Sequence, residues 1–187
     1  QKGHKHFYDM THIRYTIPLI ESLEAGVYWL WSTSRLGKEY KALNIKGKSE
    51  IGGGFINFPL VDTDNVDIRI NCGFDYKHIN NYTNEIKTSR DEARVVKAGF
   101  DLDVTEKLGR TVVTLEEDVG ISGGDLHKKD PSATNVGAGS EFGKLIGNLY
   151  RLQPMPFSSS ILWKNSFQAT NYNMLSIEQF QVGGISN

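Results

Sequence analysis

The sequence predicts an all-β protein, an antiparallel transmembrane β-barrel, and three observations carry that prediction. The first is the run Asp67–His78, DIRINCGFDYKH. Ile68, Ile70, Cys72, Phe74 and Tyr76 share one parity while Asp67, Arg69, Asn71, Gly73, Asp75 and Lys77 share the other, a period of two that only an extended strand satisfies. The second is length. Alternation continues past the roughly 5–6 residues of a common soluble strand toward the roughly 9–11 that cross a bilayer. The third is an asymmetry of connections: proline-marked tight turns follow the first, third and seventh strands, and longer polar loops lie on the other side, as outer-membrane barrels have them. The short turns are expected to face the periplasm. No convincing amphipathic helix of period 3.6 competes, so an α/β enzyme is hard to fit.

Composition agrees with a barrel without demanding one. The 187 residues are 39% hydrophobic and hold no apolar run near 18 residues, which excludes a transmembrane helix but not strands whose alternate residues face water. Lys and Arg number 21 against 22 acids, a net charge of −1, so no basic surface argues for nucleic acid. Cys72 is the single cysteine, which rules out an intrachain disulfide. Its apolar parity makes it a packing or lipid-facing residue. The opening QKGHKHF has no apolar core of a signal peptide, so for an exported protein an amino-terminal portion is expected upstream.

Each strand follows from its own alternation. Thr11–Pro18 sets Ile13, Tyr15 and Ile17 against His12, Arg14 and Thr16, and Pro18, with no N–H to give, is expected to stop the ladder. Ala25, Val27, Trp29 and Trp31 form the next apolar face, with aromatics of the kind that collect at membrane interfaces. After a polar turn at Ser32–Glu39, the stretch Tyr40–Pro59 places Leu43, Ile45, Ile51 and Phe55 on one parity, read as the apolar face, and Lys46, Lys48, Glu50, Gly52 and Gly54 on the other. The strand Asp67–His78 comes fourth, and Asn80–Asp91, NNYTNEIKTSRD, reads as a longer polar loop.

Val96, Ala98, Phe100, Leu102 and Val104 then oppose Lys97, Gly99, Asp101 and Asp103, and TEKLG at Thr105–Gly109 is a turn. In Arg110–Ile121, Glu117 falls among Val113, Leu115, Val119 and Ile121, which a bulge or a rim position would relieve. A glycine-rich polar stretch, Ser122–Asn135, leads to Val136–Leu152, where the phase is expected to slip near Gly143 and Pro154 and Pro156 end the strand. Ser158–Ala169 sets Ile161, Trp163, Phe167 and Ala169 against Leu162, Lys164, Ser166 and Gln168. About eight strands result.

The motifs that carry catalytic chemistry elsewhere are weak here. Gly47-Lys48-Ser49 ends like a phosphate-binding loop, but Ala42 stands where the first glycine belongs and a strand surrounds it. His4, His6 and His12 could pinch a metal, yet imidazoles on a frayed end are more simply solvated. Asp101 with Asp103, and Glu116 with Asp118, read as charges on a wet barrel face rather than an acid/base pair, since no apolar wall separates their pKa values. No catalytic residue, cofactor or metal is therefore assigned. Asn81-Tyr82-Thr83 is a glycosylation sequon that matters only in a eukaryotic secretory setting. Arg69, Asp75, Lys77, Lys97, Asp101 and Lys164 are the lumen-facing candidates, a mixed-charge wall that would hydrate an extended polypeptide through weak, multiple contacts. Alternation by itself leaves open a soluble sheet whose apolar face meets a protein core.

Several segments also carry a family resemblance. LSIEQFQVGG at Leu175–Gly184 resembles the segment leading into the inward-folded loop of two-partner-secretion outer-membrane transporters, the haemolysin secretion/activation (TpsB) family. IPL at Ile17–Leu19, FPL at Phe58–Leu60, NCGFDYKHINN at Asn71–Asn81 and SEFGKLIGNLYRLQPMP at Ser140–Pro156 resemble further family segments in the same order. The collinear set spans nearly the whole chain. The resemblance implies a sixteen-stranded barrel in the bacterial outer membrane, preceded by periplasmic POTRA domains and exporting a secreted partner such as a haemolysin or adhesin. Residues 1–187 would be a partial barrel, the fourth to the eleventh strand, with the POTRA domains, the family's Val-Arg-Gly-Tyr/Phe motif and the last strands outside it. Glu178, Gln179, Phe180, Gly183 and Gly184 would form the base of the inward loop. Two other readings stay open, a barrel-assembly insertase of the same superfamily and a soluble lipid- or glycan-binding β-barrel.

Overall fold

Eight antiparallel strands hydrogen-bond strictly in chain order into one sheet, each joined to the next as a hairpin. The computed structural model describes residues 8–20, 22–35, 43–121, 133–135 and 137–179. The strands are β1 (Tyr8–Ile20), β2 (Leu23–Arg35), β3 (Lys46–Asp62), β4 (Val66–Thr83), β5 (Ile86–Glu106), β6 (Gly109–Ile121), β7 (Phe142–Met155) and β8 (Ser159–Thr170). Among the described residues β1 and β8 are open edges, so the sheet is a curved wall and not a closed barrel. A single trough touches side chains from β1 to β7, which defines the concave face.

Parity sorts the two faces. Ile13, Trp29, Trp31, Phe74, Val96 and Phe167 point from the convex face and remain exposed, between 43% and 65%, with no second protein layer over them among the described residues. Cys72 is exposed among them. Among the described residues the buried apolar side chains lie in one cluster on the concave side: Ala93 and Val95 of β5, Ala138, Phe142 of β7, and Met174 and Leu175 beyond β8. A greasy outside and a polar inside is the reverse of a soluble barrel, and hydrocarbon is the solvent that stabilises it.

Several strand assignments change. Asn80–Asp91 is no loop: β4 runs to Thr83 and β5 restarts at Ile86, with only Asn84 and Glu85 between them, both at positive φ (51° and 68°). That is the backbone a two-residue primed hairpin turn requires. The alternation fades there because polar residues occupy both faces once the strands pass the apolar belt, which hides a strand from a hydropathy pattern.

Strand β3 begins at Lys46, and its faces are inverted relative to the sequence reading. Ile51 pairs with Lys77 and Phe55 with Gly73, so both lie on the concave side, while Gly52 and Gly54 lie on the convex one. The glycines are there for Trp29 of β2, whose ring occupies the space a side chain at position 52 would need. Gly53 does the same inside, where a Cβ would sit 2.7 Å from the Tyr28 ring and 2.8 Å from Asp75 Oδ1.

Pro18 and Pro59 do not end their strands. The register shifts between Pro18 and Ile20 and between Pro59 and Val61, and both strands then continue, to Ile20 and Asp62. A missing N–H is absorbed by a bulge. The bulge expected at Glu117 is absent: β6 keeps an unbroken register with β5 and β7, and Glu117 is exposed on the convex face between Leu115 and Val119. The slip expected near Gly143 is also absent: β7 begins at Phe142, not Val136, and Phe142, Lys144, Ile146, Asn148 and Tyr150 keep one concave parity. Residues 122–132 lie outside the described residues.

If hydrocarbon covers the convex face, Ile70→Arg in the protein that contains this chain should lower the folding free energy by about 2–4 kcal/mol. A urea titration of refolding into lipid vesicles measures this, and a loss below roughly 0.5 kcal/mol, as at a solvated surface position, would contradict it.

Candidate functional site: a charged wall and the segment docked on it

The strand period carries charges from four strands, β4 to β7, onto the concave face. Register places Gly53, Asp75 and Val95 in one row and Gly73, Lys97, Asp118 and Lys144 in the next, so acids and lysines interleave across β4 to β7. Asp75 accepts a hydrogen bond from the Tyr28 hydroxyl and faces Lys97 at 3.6 Å and Lys77 at 3.8 Å. Lys97 reaches Glu116 at 3.2 Å. Lys144 reaches Asp118 at 3.1 Å. Beside this network lies a trough of about 520 Å³ lined by Arg14, Tyr28, Phe55, Asp75, Lys97 and Glu116, with the Arg14 guanidinium 4.2 Å from the centre of the Phe55 ring.

The chain after β8 turns onto this wall. Asn171–Gln179 has no strand pattern, and its 3-10 turn, Ser176–Glu178, is closed by the Glu178 N–H donating to the Leu175 carbonyl at 2.9 Å. Leu175 is fully buried against the cluster of Ala93, Val95, Ala138 and Phe142. Glu178, 1% exposed, receives Lys77 Nζ on Oε1 at 2.7 Å and Lys144 Nζ on Oε2 at 2.5 Å, so each carboxylate oxygen has its own ammonium. Gln168 Nε2 donates to the Glu178 carbonyl at 3.2 Å. Burial works to raise the Glu178 carboxyl, but Lys77 and Lys144 outweigh it and hold it below its ordinary value.

Of the residues singled out from the sequence, Asp75, Lys77 and Lys97 meet in this network, and Lys77 meets Glu178. Asp101 lies on the same face and accepts from Asn71 Nδ2 at 3.0 Å. Arg69 pairs with Asp67 toward the short-turn end. Lys164 has the concave parity, opposite Tyr150, but is exposed and apart from the network. Gln179 donates from its side chain to the Met174 carbonyl at 3.5 Å. Phe180, Gly183 and Gly184, like His4 and His6, lie outside the described residues. Glu116 and Asp118, read from the sequence as charges on a wet face, join the same wall, whereas Tyr28 and Lys144 are not singled out by the sequence. The signal for Lys144 was its parity with Phe142 and Ile146, obscured by the slip assumed at Gly143.

Two outcomes follow for the docked segment. Glu178→Gln in the full-length protein should weaken docking by about 3 kcal/mol, the cost of opening a buried pair, and free a nitroxide placed at position 179. Glu178→Lys with Lys144→Glu should restore part of the immobilisation, and equal mobility in all three would contradict the assignment. Because the Glu178 carboxyl is held low, docking should be complete above the free-carboxylate range near pH ~4.3 and be lost as the pH falls through the lowered bound value. The same label reads this by titration.

Residues 1–187 match the family described as haemolysin secretion/activation protein ShlB/FhaC/HecB. No curated protein matches the chain by sequence. Among solved structures, CdiB from Escherichia coli superposes with a TM-score of 0.82 at 12% identity, over 96% of this chain and 34% of that chain. The likeness at that identity is one of fold, and the chain spans about a third of the CdiB length. Neither comparison favours the insertase or the soluble-barrel alternative. With the family matched from the first residue to the last, the chain belongs to the haemolysin secretion/activation family, whose members are outer-membrane transporters of Gram-negative bacteria.

Proposed function

We propose that this chain is the central wall of a two-partner-secretion translocase: it conducts a secreted polypeptide partner across the outer membrane and performs no catalysis. The observation that carries the reading is the division of the sheet into an apolar convex face without a covering layer and a concave face of interleaved acids and lysines. Hydrocarbon suits the first. An extended polypeptide in water suits the second, because opposite charges already satisfied by one another hydrate a passing chain without gripping it.

Residues 1–187 are then part of a barrel completed by strands that pair with the open edges of β1 and β8 and served by POTRA domains elsewhere in the protein. Arg69, Asp75, Lys77, Lys97, Asp101 and Lys164 face the conducting lumen in this reading. Glu178 and Gln179, with Phe180, Gly183 and Gly184 after them, form the base of a loop folded into it. Partner recognition is assigned to no residue of this chain.

Co-expression of the full-length transporter with its exoprotein tests the reading. A photo-crosslinking amino acid at Asn71 or Asp101 on the concave face should capture the exoprotein in transit, and one at Ile70 or Phe100 on the convex face should capture none. Exoprotein reaching the medium equally well without the transporter, or crosslinks confined to the convex positions, would overturn it.

A further inference from the structure

Register exposes an arrangement on the convex face that the conduction of a polypeptide does not use. Across β2 to β5 the outward residues align in tiers. Val27, Gly54, Phe74 and Val96 form an apolar tier, Trp29, Gly52, Tyr76 and Arg94 the next, and Trp31, Glu50, His78 and Glu92 the one beyond. Two more tiers lie further out: Thr33, Lys48, Asn80 and Arg90, then Arg35, Lys46, Tyr82 and Lys87. Those last two hold five cations and no carboxylate, in a chain whose net charge is −1. Arg90 is held by Glu92 of the tier below at 2.5 Å and Lys46 by Glu85 of the turn at 3.7 Å, while Arg35, Lys48 and Lys87 are exposed.

Their height above the apolar belt says what they meet. One tier is two residues of strand, which at about 3.3 Å per residue and a tilt near 40° rises about 5 Å. Strand by strand, the cationic tiers thus lie about 5–10 Å beyond the tier of Trp31, Glu50, His78 and Glu92, toward the depth at which hydrocarbon gives way to headgroups. The end in question holds the long β2–β3 and β6–β7 connections, Arg35 to Lys46 and Ile121 to Phe142, together with the two-residue β4–β5 turn, whereas all four connections at the opposite end are short, and so it is the cell-surface side.

We infer that these two tiers bind the phosphate groups of anionic lipid in the outer leaflet, with Lys48, Arg35 and Lys87 as the contacting cations. Charge complementarity and position select this occupant: a phosphate beside the barrel at this height meets exposed ammonium and guanidinium groups and exchanges water for charge-assisted hydrogen bonds. The inference rests on the outer-membrane barrel reading proposed above.

Native mass spectrometry of the detergent-solubilised full-length protein tests it, with bisphosphorylated lipid A and the same lipid stripped of phosphate as probes. The wild type should retain the phosphorylated lipid at least tenfold better than the stripped one. Lys48→Gln with Lys87→Gln should lose most of that preference, and Lys107→Gln, in the short β5–β6 turn at the other end, should keep it. Heat-modifiable electrophoretic mobility establishes that each variant is a folded barrel, and for any variant that fails it the single change Lys48→Gln is read instead. Equal retention of both lipids, an unchanged preference in the folded Lys48 variants, an equal loss in the Lys107 variant, or capture of a polyglutamate peptide in place of lipid would overturn it. Failure of the barrel reading itself looks different, as a protein that stays monomeric in solution without detergent.

Discussion

A strand in hydrocarbon has no water to satisfy its N–H and C=O groups, so each must be bonded to a neighbouring strand. Most of what the structure shows descends from that constraint. It explains the strict meander, in which no strand is skipped and pairing continues through the belt without interruption. It also explains why the irregularities sit where they do: the register shifts at Pro18, Pro59 and Asn81 all fall near strand ends, where water can serve the groups a bulge leaves unpaired.

An unbroken ladder leaves side-chain parity as the only means of assigning residues to lipid or water, and glycine manages the crowding that results. Trp29 lies over Gly52 on the convex face, while Tyr28 and Asp75 converge over Gly53 on the concave one, so consecutive glycines of β3 serve opposite solvents. On the concave side the same ladder stacks Lys97 beside Asp118 and Lys144. The lysines would be costly there alone. Interleaved with carboxylates, they form pairs that offset one another's desolvation. Glu178 joins that network from outside the sheet, and the buried Leu175 beside it adds the apolar contact that gives the docked segment a defined place.

Much of this was legible in the residues. The eight strands, their order and the outward faces of β1, β2, β4, β5 and β8 follow from alternation, because in a barrel wall the two solvents differ enough for parity to register them. Strand β3 misled because its convex positions are glycines. A residue without a side chain has no hydropathy to report, so Ile51 and Phe55 looked like the lipid face. The outer halves of β4 and β5 misled because both of their faces are polar. Lys144 was missed when one assumed slip moved it off its true parity.

Sequence alone determined the strand count, the all-β class and which residue types carry charge, since these rest on a period of two that a chain displays without its neighbours. Only the tertiary structure decided which charges meet. Lys77 and Lys144 are 67 residues apart and converge on one carboxylate of a segment with no periodicity of its own, through the accumulated register of four strands and the return of the chain after β8. Such distances are set by the stagger of strands and the curl of the sheet, which no local pattern encodes.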